Sequence, residues 1–195
     1  MSLFFYPQKL LKKYNILQNK TYFDNQIWYI YVESEEKVFK EGDSMNYEIN
    51  EGTLAVISLD DSKSKVLEDN KEYVIDTKAF DIMDYSCKYF GSSYEGRKEG
   101  TKAILNIDYK VPIVVESSSN LIFFPTTSPS SDDCSWISLK DIQSFKEVEN
   151  QSTEITFNNG IKITIPVSKR MIENQVLRAS RLDLIIRNRK IEKNS

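Results

Sequence analysis

This chain of 195 residues contains no histidine and only two cysteines. The Ser-His-Asp and Cys-His catalytic arrangements need an imidazole to move a proton, so the sequence excludes those classes of enzyme. Cys87 and Cys134 cannot complete a zinc site within one chain unless carboxylates or a second subunit contribute ligands. We therefore expect two buried thiols, no metal, no cofactor and no enzymatic activity.

Long apolar runs are also missing. The sequence has no apolar stretch long enough for a membrane span, and its N-terminus lacks a basic segment that leads into an apolar core. We expect neither a signal peptide nor a membrane partner, and a cytoplasmic location. The apolar content of 40% is enough to form an ordinary core in one domain or two small ones.

Positive charge is unevenly distributed. The net charge is −3, but residues 166–195 carry eight Lys and Arg against three Asp and Glu, a local excess of +5 that leaves −8 for residues 1–165. The basic charge is therefore collected at the C-terminal end, and the negative net charge does not by itself argue against a nucleic-acid partner.

The first 44 residues have a separate character. Phe, Tyr, Lys, Asn and Ile make up 21 of them, as AT-rich codons encode by default, and residues 40–45 could be encoded by a ribosome-binding sequence followed by a start codon at Met45. Translation from Met45 is one hypothesis. The alternative is a genuine N-terminal element, because residues 27–32 have the β-propensity of a strand.

After Met45 the pattern is that of an α+β domain. A hairpin is predicted from residues 47–49 and 53–59, and short strands follow at 66–67 and 72–76. Apolar residues spaced by three and four, Phe80, Met83, Cys87 and Phe90, then predict a helix over residues 77–90.

The stretch that follows that helix is rich in glycine, serine and cations. Gly91 is expected to end the helix in a left-handed conformation, and Ser92 with Glu95 matches a capping box. The second helix should be very short, because Gly100 would close it before a strand at residues 103–108. Its free N–H groups, with Arg97 and the lysines nearby, predict an anion site.

Three other interpretations of this corner compete with an anion site. The Gly91-to-Gly96 spacing resembles a nucleotide-binding P-loop, but Arg97 stands where that loop needs lysine and a helix replaces the preceding strand. A helix-turn-helix needs a turn of three or four residues and a second helix long enough to lie in a groove, and the predicted corner meets neither condition. The third alternative is a tight turn between two helices whose charged side chains are simply solvated.

The C-terminal third is predicted to contain strands at 134–139 and 142–148, with Trp136 in the core, and a hairpin that turns at Asn159-Gly160. Ser168 can cap a helix over residues 169–188. Its core-facing stripe is Ile172, Val176, Ala179, Leu182 and Ile186. A second face carries Arg170, Asn174, Arg178 and Arg181, which suits DNA contact or an ordinary solvated surface.

Residues 86–101 strongly resemble the signature of the competence transcription factor ComK family. Further blocks occur in the family's order, at residues 112–115, 122–126, 134–138, 153–160 and 173–176. Ser135 departs from the expected glycine, and the resemblance fades after Ser180. The resemblance divides the chain into an unmatched extension (residues 1–44), a DNA-binding domain (45–188) and a basic tail (189–195) that is shorter than in relatives.

The resemblance implies a bacterial transcriptional activator of DNA-uptake and recombination genes, associated with the nucleoid. It implies binding to AT-rich promoter DNA as a homo-oligomer, and contacts with RNA polymerase and with an adaptor of a Clp protease. The alternatives are a truncated, non-activating relative that acts as a protein-interaction module, and a nucleotide-binding protein. The candidate DNA-binding residues are Lys88, Ser92, Ser93, Tyr94, Arg97, Lys98 and Lys102 at the corner, and Arg170, Asn174, Arg178 and Arg181 on the C-terminal helix.

The expected fold is α+β: mainly antiparallel sheet, with an inserted helix, turn and short helix, and a C-terminal helix.

Overall fold

A computed structural model describes the backbone of residues 19–23 and 26–30 and the continuous stretch 47–193. The chain divides into two compact units, Met1–Phe39 and Lys40–Ser195. In the first unit, β1 (Asn19–Phe23) pairs antiparallel with β2 (Gln26–Ile30). The strand expected near residues 27–32 thus coincides largely with β2, whereas Met45 lies outside the described residues and the start-site hypothesis stays a prediction.

The second unit contains two antiparallel sheets. The larger has the order β5-β4-β3-β8-β7-β6, and the smaller has the order β11-β10-β9. The strands of the larger sheet are β3 (Thr53–Ser58), β4 (Ser64–Glu68), β5 (Glu72–Ile75), β6 (Ile113–Glu116), β7 (Leu121–Pro125) and β8 (Trp136–Ser138). Those of the smaller are β9 (Ile142–Val148), β10 (Ser152–Phe157) and β11 (Lys162–Ile165).

Three helices complete the unit: α1 (Ala79–Tyr89), α2 (Tyr94–Leu105) and α3 (Lys169–Lys193). The architecture is α+β with mainly antiparallel sheet and a C-terminal helix, which confirms the expected fold class. Within the described residues, no helix is both long and apolar enough to cross a membrane.

The larger sheet is buried on both faces. Along β7, Ile122 and Phe124 join a cluster with α3 and the smaller sheet, while Phe123, which alternation points to the opposite face, is also fully buried. Helix α1 contacts β3 and β6 of this sheet. The predicted stripe of α3 is confirmed: Ile172, Ala179 and Leu182 have no exposed surface, and Val176 and Ile186 are partly buried against the same cluster.

The N-terminal hairpin was predicted wrongly, because residues 47–49 are not a strand. This segment is held by hydrogen bonds that involve side chains, instead of by backbone hydrogen bonds to a neighbouring strand. The Tyr47 hydroxyl lies 2.6 Å from Oγ1 of Thr53, and the Ile49 amide donates to Oγ of Ser86 at 3.0 Å. β3 instead pairs with β4 and β8.

The hairpin of β10 and β11 is confirmed, with Ile155 opposite Ile163 and Gly160 at φ +85° in the turn. Trp136 is fully buried, as predicted for a core residue. Both cysteines are free and buried, as expected.

Candidate nucleic-acid interface

The corner between α1 and α2 begins with the predicted glycine stop. Gly91 has φ +73°, its amide donates to the Lys88 carbonyl at 3.0 Å, and the Ser92 amide donates to the Cys87 carbonyl at 2.9 Å. These two bonds form a Schellman motif, which satisfies the last carbonyls of α1. Four residues, Phe90 to Ser93, separate the two helices.

The N-cap of α2 lies one residue later than predicted. Ser93, not Ser92, accepts a hydrogen bond from the Gly96 amide, at 3.0 Å. The short helix and the strand at residues 103–108 were also predicted wrongly, because α2 continues through Gly100 to Leu105. Thr101 and Leu105, one turn apart, are buried on the same face, and their burial offsets the roughly 1 kcal/mol that a helical glycine costs.

The grounds for rejecting a helix-turn-helix therefore do not hold, since the turn has four residues and α2 has twelve. Charge argues separately against α2 as the main DNA-contacting element. Both lysines of α2 pair with glutamates three residues before them: Lys98 with Glu95 at 2.9 Å and Lys102 with Glu99 at 3.0 Å. Helix α2 therefore presents little net positive charge.

The anion at the N-terminus of α2 is a carboxylate of the chain itself. Oδ1 of Asp84 accepts from the Tyr94 amide at 3.1 Å, and Oδ2 lies 2.6 Å from Nζ of Lys88. The hydrogen bond from Lys88, and then that from the Tyr94 amide, lower the pKa of Asp84. The predicted anion-binding amide is thus satisfied internally, and Lys88 is paired.

The remaining corner residues also turn towards the protein. Nη2 of Arg97 lies 3.4 Å from the Phe90 carbonyl, so this cation sits at the negative end of the α1 dipole. The Tyr94 ring is 5% exposed and packs edge-on against Phe80, with ring centroids 4.8 Å apart, and against Trp136 at 5.9 Å. Tyr94 is a core residue whose ring is not available to DNA.

The P-loop alternative finds no support in this geometry, because α1 rather than a strand precedes Gly91 and Gly96 lies inside α2. A cavity of about 510 Å³ borders the N-termini of α1 and α2. Its charged lining is mixed: Lys78, Lys98 and Lys110 against Glu95, Asp108 and Asp132. Such a balance does not favour a polyphosphate.

Helix α3 differs from the corner because its cations are exposed and mostly unpaired. Arg170, Asn174 and Arg181 are exposed, and within residues 47–193 their side chains have no hydrogen-bond or ion-pair partner. Lys169 and Arg189 extend this set, although the sequence pattern had not singled them out. The described C-terminal helix thus carries the free positive charge that the corner lacks.

Arg178, the fourth residue predicted on this face, has an anchoring role. Its Nη1 donates to the Tyr109 carbonyl at 2.9 Å and lies 3.3 Å from Oε1 of Gln175. Arg178 therefore fixes α3 to the loop that follows α2 while keeping its charge near the exposed arginines.

Gln175 is the residue that sequence reasoning missed. It is 1% exposed, and Nε2 donates to the Pro125 carbonyl at 2.8 Å and to the Lys110 carbonyl at 3.1 Å. Gln175 lies three residues after Ile172 and four before Ala179, so its spacing places it in the core stripe. That spacing was the sign in the sequence that its amide is buried.

The sequence of this chain is similar to those of known proteins. The family model described as ComK protein matches residues 44–191. The competence transcription factor of Bacillus subtilis (strain 168) is 41% identical over 138 residues, which cover 69% of this chain and 72% of that protein. No solved structure matches the chain. The extent of the family match and this identity show that the chain belongs to the ComK family.

Proposed function

We propose that this chain is a DNA-binding transcriptional activator of competence genes that recognises AT-rich promoter boxes. Membership of the ComK family and the name of its Bacillus subtilis relative support the role in competence. The observation that carries DNA binding is the row of exposed cations on α3 that have no partner among residues 47–193, in a chain whose net charge is negative.

In this proposal α3, rather than the corner, provides most of the affinity. Arg170 and Arg181 would contact phosphates, and Asn174 between them can bond an adenine edge or a minor-groove acceptor. Arginine is favoured in the narrow, electronegative minor groove of AT-rich DNA, which accounts for selection without many base contacts. The corner would mainly hold α1 and α2 in place.

The same proposal includes self-association, association with the nucleoid, and contacts with RNA polymerase and with an adaptor of a Clp protease. A surface for self-association is available, since Leu177 and Leu184 are 64% and 59% exposed and lie seven residues apart on α3. Burial of these side chains between copies would remove them from water. Sedimentation of the Leu177→Lys, Leu184→Lys double variant should then show a smaller species than the unsubstituted chain does.

The proposal is tested by fluorescence anisotropy with AT-rich and GC-rich duplexes of equal length at several salt concentrations. We expect tighter binding to the AT-rich duplex. Replacing Arg170 and Arg181 by alanine should weaken binding to both duplexes and flatten the slope of log K against log salt by about 2, one unit for each lost phosphate contact.

The matched control replaces Lys98 and Lys102, which are paired in the structure, by alanine. We expect little change in affinity or slope. A large loss with this control and none with the α3 variant would transfer the DNA surface to the corner. Failure of the unsubstituted chain to bind either duplex would overturn the proposal and favour a protein-interaction module.

A further inference from the structure

An exposed aromatic residue stands beside the basic face of α3. Tyr109 is 60% exposed in the loop between α2 and β6. Arg178, which bonds its carbonyl, lies four residues after Asn174 and three before Arg181, so all three share one side of the helix. The Tyr109 backbone is therefore docked against the face that carries the free cations.

This loop is held from several sides. Arg178 bonds the Tyr109 carbonyl at 2.9 Å, and Gln175 bonds the carbonyl of Lys110 at 3.1 Å. Lys110 itself has φ +51°, an uncommon left-handed conformation for a residue with a side chain. Asp108 is tied to Lys102 of α2 at 3.2 Å. Side chains of α3 thus hold the backbone of two consecutive residues, Tyr109 and Lys110.

Lys110 adds positive charge next to the ring. It is 7% exposed, yet its Nζ has only the Met171 sulfur, at 3.4 Å, as a hydrogen-bond partner, and it lies 5.4 Å from the centre of the Tyr109 ring. A carboxylate partner for this ammonium group is lacking among residues 47–193. The loop therefore presents an aromatic ring beside a cation that no carboxylate of residues 47–193 bonds directly.

Packing does not explain this arrangement, because most of the ring surface remains in water while its backbone is fixed. An exposed aromatic ring on a fixed backbone next to cations is suited to groove binding and base stacking, since tyrosine has only two χ angles to order when it binds. We propose that Tyr109 is a DNA-contacting residue whose ring enters the groove between the phosphates bound by α3, and that it contributes to AT-rich selection. This inference rests on the proposed function and names a contact within it.

The chemistry of the contact gives a distinctive signature. Tyrosine is neutral, so its loss releases no additional counterion, whereas loss of an arginine does. Substitution of Tyr109 should therefore lower affinity equally at every salt concentration and leave the salt slope unchanged. It should also lower the preference for AT-rich DNA, because the ring senses the width and deformability of the groove.

The test compares Tyr109→Ala with Tyr89→Ala in the duplex assay. Tyr89, at the end of α1, is also 60% exposed and is the matched control. We expect about a tenfold loss of affinity for the AT-rich duplex with Tyr109→Ala, a smaller loss for the GC-rich duplex and an unchanged salt slope. Tyr109→Phe should keep most of the affinity, because the ring makes the contact.

Both tyrosines are largely exposed, so circular dichroism should show that all three variants remain folded. If Tyr109→Ala binds like Tyr89→Ala while the unsubstituted chain keeps its AT-rich preference, the inference is overturned and the proposed function stands. If Tyr109→Ala changes the salt slope as the arginine variants do, the neutral groove contact is wrong. Absence of DNA binding by the unsubstituted chain would overturn both proposals.

Discussion

Gln175 and Asn174 are neighbours in the sequence, but they are expected to respond in opposite ways to substitution. The Gln175 amide is buried and donates to two backbone carbonyls, on Lys110 and Pro125. Methionine has nearly the volume of glutamine and donates no hydrogen bond, so Gln175→Met removes both bonds without leaving a cavity. Asn174→Ala changes only an exposed side chain.

The expected cost follows from the two acceptors. Leaving a buried carbonyl without its donor costs about 1–3 kcal/mol, so Gln175→Met, which leaves two, should lower the free energy of unfolding by about 2–6 kcal/mol. For a chain of this size such a loss lowers the midpoint of thermal unfolding by roughly 4–24 °C. Asn174→Ala should stay within about 0.5 kcal/mol of the unsubstituted protein.

Urea unfolding followed by circular dichroism at 222 nm measures both variants, with equal m-values as the condition for comparing them. The DNA assay supplies the converse result, because Asn174→Ala should weaken binding while stability is unchanged. Equal stability of the two variants would refute the reasoning that Gln175 anchors α3 to the sheet.

Three further predictions concern the corner and the thiols. Gly91→Ala should destabilise the protein by about 1 kcal/mol because alanine resists the left-handed conformation, whereas Gly100→Ala should stabilise it by about 0.5–1 kcal/mol inside α2. Neither added methyl group meets an atom within 4 Å, so urea unfolding of both variants reports the backbone effect alone. A loss of stability with Gly100→Ala would contradict a continuous helix. Asp84→Asn should cost about 1 kcal/mol at pH 7. The pKa of Asp84 is lowered in the folded state, so the difference in stability between the unsubstituted protein and Asp84→Asn should shrink as the pH falls below about 4. Urea unfolding of both proteins at pH 7 and pH 3 measures this difference. An equal difference at the two pH values would disprove the role of the ionised carboxylate. Burial raises the pKa of Cys87 to about 11 and also raises the pKa of Cys134. Neither thiol should therefore react with Ellman's reagent at pH 8 until the protein is denatured. Rapid reaction of the native protein would show that the core around the thiols opens.

Local patterns were sufficient for several elements. The β10–β11 hairpin follows from alternation around Asn159-Gly160, and the stop of α1 follows from Gly91, because in both cases the deciding residues are adjacent in sequence. The apolar spacing of α3 likewise predicted its buried face. The ordered blocks of residues were enough to identify the ComK family.

The length of α2 was not predictable from local signals. Gly100 reads as a helix end by composition, and the helix continues only because the core covers Thr101 and Leu105. In α1 the buried face is likewise displaced from the predicted stripe, since Ile82 and Ser86 are buried while Phe80 is 36% exposed. Ser86 is buried because it bonds the distant Ile49 amide.

The sequence by itself determined which residues can be charged, apolar or turn-forming, and hence the fold class, the basic C-terminal helix and the family. Only the tertiary structure decided which cations are available to a partner. On α3, Nζ of Lys190 bonds Oδ1 of Asn120, 70 positions away, whereas Arg170 and Arg181 have no partner among residues 47–193. It also joined Tyr109 to Arg178, 69 positions away, and so placed an exposed ring beside the basic face. The physical reason is that charge and aromatic character belong to single residues, while pairing and exposure depend on neighbours that folding brings from elsewhere in the chain.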